Sequence, residues 1–171
     1  RLDDLVTDLL DMARIDAGKV EVTQQPIDIR ETLDASLGDF LPLKDGRKLF
    51  VEIDPPSPPD IQTDATIIRQ VVRNLVGNAI DHTPPGTAVS ITVAVRLEAL
   101  AITIDDDGPG IDPTELANIF DRFVRGPRST GSGLGLSIVR GLVEALNGRI
   151  VAGRSPMGGA RFTVTIPLAP Q

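Results

Sequence analysis

The chain has 171 residues, 41% of them hydrophobic, enough for one domain with a sizeable core and a short appendage. It has no cysteine and one histidine, which excludes disulfides, thiolate chemistry and a His-based metal cluster. A net charge of −7 argues against a general nucleic-acid binder, though backbone N–H groups and a metal could still hold a nucleotide. No apolar run approaches the roughly 20 residues that span a bilayer, and no signal peptide follows Arg1, so the chain reads as a cytoplasmic piece of a larger protein.

Leu2, Leu5, Leu9 and Met12, with Val6, Leu10 and Ala13 beside them, form a helical apolar seam that ends at Gly18. So short a helix is marginal alone, so the seam is expected to pack on a partner helix outside the chain; packing on its own domain is the alternative. Lys19–Gln25 alternates like an edge strand and is predicted to stop at Pro26. Asp28 caps a helix predicted to run to about Phe40, Leu49–Asp54 reads as a strand, and the run PPSPPD after it is a stiff connector.

Asp64–His82 is the stretch around which the chain is organised. Asp64 is an N-cap, Pro84 and Pro85 close the far end, and Ile67, Ile68, Val71, Val72, Leu75, Val76, Ala79 and Ile80 fill one arc of the wheel. Asn74 and Asn78, four apart, stack on the edge of that arc, and Asp81 falls on the same edge. Two carboxamides and a carboxylate thus run along one lip of the core, a pattern that ordinary boundary residues also produce.

Ala88–Leu97 and Ala99–Ile104 are strand-like and form a hairpin turning near Glu98. The second runs into Asp105-Asp106-Asp107-Gly108-Pro109-Gly110-Ile111, three carboxylates that cannot all be buried unpaired. A calcium loop fails on register, since Thr103 and Thr114 stand where ligands belong. A carboxylate ending a buried strand can instead accept a hydrogen bond from an exocyclic amine, with glycines letting the backbone pass close to a flat ring. An acidic surface turn is the plainer alternative.

Ile119–Phe123 holds two of the five phenylalanines, at least one of them suited to core packing. Arg125–Ser132 is polar, basic and poor in apolar anchors, and a mobile loop is predicted there. It leads into Gly131-Ser132-Gly133-Leu134-Gly135-Leu136-Ser137 and an amphipathic helix to about Leu146. Glycines at a helix mouth leave free N–H groups and a favourable dipole facing an anion. The Rossmann pattern fails because Leu136 replaces its third glycine, a Walker loop because Ser132 replaces its lysine, and a hydrolase elbow because Val139 replaces its last glycine. Arg149–Ala152 reads as a strand, Ser155–Ala160 as a turn and Arg161–Leu168 as a closing strand.

In this order the pieces resemble the catalytic ATP-binding domain of sensor histidine kinases, of the GHKL or Bergerat-fold superfamily. Asn74–Ala79 looks like that family's N box, Asp106–Gly110 like its first glycine box, Phe120–Phe123 like its F box, Gly131–Leu136 like its second glycine box and Gly158–Phe162 like a degenerate third. The match covers roughly residues 19–168, and residues 1–18 resemble the end of the dimerisation domain's second helix, its phosphate-accepting histidine lying upstream.

The resemblance implies an α/β two-layer sandwich, a mixed, mostly antiparallel sheet packed on one side by about three helices. It implies ATP and Mg²⁺ as ligands. Asp106 would hold the adenine amino group; Asn78 would coordinate Mg²⁺, with Asn74 in support. Gly131, Gly133, Leu134 and Gly135 would present N–H groups to the phosphates. Arg122 or Arg125 would neutralise the transferring phosphoryl group, the choice between them being open. Gly108, Gly110, Phe123, Ser132 and Leu136, of the same boxes, and Ile111 next to the first of them would line the nucleotide. Asp81 stands where many relatives carry Lys or Arg, an acid that would repel triphosphate unless a cation intervenes. His82 would contact the ribose side, or simply pack at the helix end.

The implied partners are the chain's own dimerisation domain and a response-regulator receiver, with no nucleic acid and a homodimeric, membrane-anchored parent. A related ATP hydrolase, as in the gyrase, mismatch-repair and heat-shock chaperone ATPases, would need a glutamate four residues before the metal-binding asparagine, where Asn74 stands. An interaction module with a dead pocket is the other rival.

Overall fold

The computed structural model describes residues 2–126, 129 and 131–168. Its chain order is α1 (Leu2–Asp16), β1 (Gln25–Ile27), α2 (Ile29–Leu37), β2 (Lys48–Asp54), β3 (Ile61–Thr63), α3 (Ala65–Asp81), β4 (Ala88–Val95), β5 (Ala99–Asp106), α4 (Gly135–Ala145), β6 (Arg149–Arg154) and β7 (Ala160–Pro167). A short 3₁₀ turn, Gly38–Phe40, completes the end of α2, where the sequence reads as continuous helix. Of the loop predicted at Arg125–Ser132, Pro127, Arg128 and Thr130 lie outside the described residues, and the rest form neither helix nor strand.

Five strands form one sheet in the order β2-β4-β5-β7-β6. β2 runs parallel to β4 because the chain between them crosses over through β3 and α3; the other pairs are antiparallel. Strands β4, β5 and β7 alternate between buried and half-exposed positions, so one sheet face is core. Helices α2, α3 and α4 cover that face, with α3 in the middle against β4 and β5. The apolar arc of α3 is buried from Ile67 to Ala79, leaving Ile80 only half-buried, and the Asp64 carboxylate accepts the Thr66 and Ile67 N–H groups as the expected cap.

Two expectations are corrected. Lys19–Gln24 is not a strand; β1 begins at Gln25 and carries Pro26 inside it. It pairs only with β3, in a two-stranded ribbon where a proline's missing donor can face outward, so Pro26 does not stop the strand. The second correction concerns α1, whose C-terminal half docks on its own domain. Met12 is buried, and Ile15 fills the space over Gly141 of α4, where an added Cβ would stand 2.5 Å from its Cγ2. Asp11 accepts from Gln70, and Asp16 pairs with Arg122. Leu2, Leu5, Val6, Leu9 and Leu10 remain exposed along the other half.

Candidate active site

Helix α3, the end of β5, the start of α4 and the N-terminal half of α1 surround a cavity of about 1080 Å³. Asn74, Asn78, Asp81 and His82 line it from α3, as their shared edge predicts. Neither carboxamide is hydrogen-bonded among the described residues, so both amide oxygens remain available as donors to a cation. His82 ends the helix, its N–H bonding to the Asn78 carbonyl, and its ring lies against Gly126.

The three aspartates of β5 divide the work, which meets the objection that they cannot all be buried unpaired. Asp105 is bridged by the Arg161 guanidinium through two 2.8 Å bonds, and Asp107 accepts the Ala88 N–H at 2.8 Å. Asp106 alone turns to the cavity, and it is 5% exposed. Its Oδ1 accepts the N–H groups of Gly108 (2.9 Å) and Ala160 (3.1 Å), which leaves Oδ2 to receive one further donor. Burial pushes its carboxyl above the ordinary range, and the two backbone bonds pull against that. The chain at Gly159 passes so close that a Cβ there would stand 2.0 Å from Asp106 Oδ1. Gly110 and Ile111 continue the wall, while Gly108 sits behind it.

At the mouth of α4, Gly131, Ser132, Gly133, Gly135 and Leu136 line the cavity. The first intrahelical bond runs from Ile138 to Leu134, so the N–H groups of Gly135, Leu136 and Ser137 have no partner in the helix. Leu134 departs from expectation: its side chain is core and its N–H donates to Ser132 Oγ. Gly133 has φ +76°, and a Cβ there would come within 2.9 Å of Phe123 Cα.

Of the two arginines, Arg125 lines the cavity and donates to the Ser132 carbonyl at 3.3 Å. Arg122 is turned away from it, its guanidinium engaged by both Asp16 carboxylate oxygens. Phe123 is also off the wall, 60% exposed, with its N–H on the Gly133 carbonyl. Phe120 meets Phe162 edge to face at 6.3 Å, so it is Phe120 that packs.

Sequence reasoning assigned no place on the cavity to Thr83 or to α1. Thr83, Ala160 and Phe162 reach the cavity only through the packing of α3 and β7 beside β5. Asp4, Leu5, Thr7 and Asp8 of α1 form a wall of which only Leu5 belongs to the apolar seam read from the sequence, and Asp8 accepts the Ser132 hydroxyl at 2.6 Å. Among the described residues the cavity therefore carries six carboxylates (Asp4, Asp8, Asp81, Asp106, Asp112 and Glu115) against two guanidiniums, Arg73 and Arg125.

Residues 63–170 match the family described as Histidine kinase-, DNA gyrase B-, and HSP90-like ATPase. Signal transduction histidine-protein kinase BaeS of Escherichia coli (strain K12) is 34% identical over 169 residues, 96% of this chain and 36% of BaeS. Sensor histidine kinase MtrB of Mycobacterium tuberculosis (strain ATCC 25618 / H37Rv) is 34% identical over 174 residues, 98% of this chain and 30% of MtrB. The chain spans about a third of the length of these relatives. The crystal structure of full-length ShkA in complex with AMPPNP superposes with a TM-score of 0.87 at 32% identity, covering 99% of this chain and 36% of that one. The nucleotide-free catalytic domain of histidine kinase ThkA superposes at 0.76 and 28% identity, covering 88% of this chain and all (100%) of that one. The expected two-layer fold and its ATP-binding boxes thus meet in one family, and this chain belongs to the histidine kinase-, DNA gyrase B- and HSP90-like ATPases as the ATP-binding catalytic domain of a sensor histidine kinase.

Proposed function

We propose that the cavity binds ATP with Mg²⁺, and that the parent protein passes the γ-phosphoryl group to a histidine on its dimerisation domain and then to an aspartate of a response regulator. The observation that carries this reading is Asp106, a buried carboxylate with one oxygen satisfied by backbone and the other left for a single donor such as the adenine amine. The unpartnered N–H groups at the mouth of α4 would receive phosphate oxygens, aided by the helix dipole. Arg125, on the cavity wall, is the better placed arginine to balance charge on the transferring group. Arg122 would join it only after leaving Asp16. The binding of AMPPNP by ShkA supports the choice of nucleotide.

The residues fit a metal held mainly by the nucleotide. No cluster of three or more His, Cys, Asp or Glu suited to a metal occurs among the described residues, whereas Asn78 offers an amide oxygen with Asn74 one turn away. A hard cation that keeps waters and phosphates in its shell needs no more, and when bound it supplies charge neutralisation. The acidic excess of the wall, Asp81 included, makes that neutralisation necessary for triphosphate to enter.

Residues 1–18 belong, in this reading, to the end of the dimerisation helix, and the catalytic domain begins at about residue 19. The exposed Leu2, Leu5 and Leu9 would then continue into the helical bundle of a homodimer. No helix of the described residues is long and apolar enough to cross a membrane.

Calorimetric titration with a non-hydrolysable ATP analogue tests the pocket. Saturable binding is expected with Mg²⁺, weaker by about tenfold or more once the metal is chelated, and lost in Asp106→Ala. Equal binding by the wild type and Asp106→Ala would overturn the placement of adenine. Steady release of phosphate from ATP would instead favour the hydrolase reading, which Asn74 speaks against because a carboxamide cannot activate water.

A further inference from the structure

We propose that Arg47, which stands outside the cavity wall, is a positioning residue for its base-binding end; the inference rests on the nucleotide reading given above. Arg47 directly precedes β2. The turn that carries it is tied to the segment after α3, with Gly86 N–H donating to the Asp45 carbonyl at 2.8 Å and Lys48 N–H to the Thr87 carbonyl at 3.3 Å. From there the guanidinium closes as a fork on one residue, Thr83. Its Nη1 donates to Thr83 Oγ1 and its Nη2 to the Thr83 carbonyl, both at 2.7 Å. The Thr83 hydroxyl in turn donates to the Ala79 carbonyl at 2.6 Å.

This fork fixes both the rotamer and the backbone of a buried residue just past the end of α3. The consequence reaches the cavity in two steps. Thr83 Cγ2 stands 2.5 Å from where a Cβ on Gly108 would be, so the Thr83 methyl sets how closely the Gly108 backbone approaches. The Gly108 N–H then holds Asp106 Oδ1 at 2.9 Å and aims Oδ2. Arg47 thereby orients the base-recognising carboxylate through Thr83 and Gly108 without touching ligand. Lysine cannot reproduce a planar fork, so the geometry calls for arginine.

A role in general stability and a role in aiming Asp106 differ in which half of the nucleotide they affect. Mg²⁺-ADP probes the base and phosphate ends together, and Mg²⁺-tripolyphosphate probes the phosphate end alone. Titrating both into the whole chain, Arg47→Met should weaken ADP by about tenfold, the scale of a lost charge-assisted pair, and leave tripolyphosphate within about twofold. Arg47→Lys should recover only part of the ADP affinity. Thr83→Val, which keeps the methyl but loses the accepting oxygen, should fall between wild type and Arg47→Met. Unchanged ADP affinity in Arg47→Met, or equal weakening of both ligands, would overturn the proposal. Should Arg47→Met fail to fold by circular dichroism, Thr83→Val decides it, and wild-type ADP affinity in that variant overturns the role. A wild type that binds neither ligand would remove the nucleotide reading itself, an outcome distinct from any difference among variants.

Discussion

Asp106 shows how much a single carboxylate can be asked to do at the end of a central strand. Burial raises its pKa, so between the ordinary carboxylate value and the raised one the folded chain holds more protons than the unfolded chain. The stability it contributes therefore declines as pH rises through that window, and above it the charged group is a constant cost. Asp106→Asn should remove this slope from a pH series of denaturant unfolding and leave the fold as stable or slightly more so at neutral pH. The same variant should bind ATP analogues about a hundredfold more weakly, because the amide oxygen would take the backbone N–H groups and present NH₂ to an amine donor. Retention of affinity in Asp106→Asn would mean that Oδ2 accepts nothing from the ligand. A carboxylate ending the strand beside a glycine turn was legible from the run Asp105–Gly110, and the resemblance singled out Asp106, but the partners of Asp105 and Asp107 were not legible. Only the register of β5 against β4 and β7 sends Asp107 to Ala88, Asp105 to Arg161 and Asp106 to the cavity.

At the scale of elements, α1 takes the alternative of its two expected fates and packs on its own domain. Its C-terminal half closes on α3 and α4, and its N-terminal half walls the cavity on one side while exposing leucines on the other. Asp8 is pushed above the ordinary carboxylate range by burial, against the opposing bond from Ser132. The docked helix thus holds its proton more tightly than the free helix, and docking weakens as pH rises through that range. Asp8→Asn keeps a hydrogen-bonding partner for Ser132 without a charge to desolvate. Hydrogen exchange of the α1 amides should accordingly be slower than in the wild type near neutral pH. Asp16→Ala should do the reverse, though weakly: the Arg122 pair is about half exposed on both sides (48% and 46%), and such pairs contribute about 0.2–1 kcal/mol. Faster exchange in Asp8→Asn would show that the carboxylate's charge favours docking. The helical period of α1 was legible, and which face met which surface was not, because a seam of leucines is equally suited to a second helix and to its own domain.

For the whole molecule, the site depends on α3 lying across the middle of the sheet. Leu75 is fully buried there (0% exposed), between the cavity lip formed by Asn74 and Asn78 and the strands beneath. Leu75→Ala should cost about 3 kcal/mol in denaturant unfolding, the usual scale for a leucine cavity in a packed core. Nucleotide at a hundred times its Kd should restore about 2.7 kcal/mol of that, provided that the site is still formed. An absent ligand shift in Leu75→Ala, with a normal shift in the wild type, would show that the lip fails before the core does.

The sequence by itself determined the helices and strands whose periods are long enough to read, the cap at Asp64, and the polar residues that a helical edge or strand end must present together. Those are local matters, set by 3.6- and 2-residue repeats and by the backbone chemistry of Asp, Gly and Pro. Tertiary structure alone decided the three-residue strands β1 and β3, the parallel pairing of β2 with β4, and the arrival of Thr83, Ala160 and Phe162 at the cavity. It also turned Arg122 toward Asp16 and set Arg125 on the wall. Such outcomes depend on registers and packing distances between segments far apart in the chain, and no local repeat encodes them.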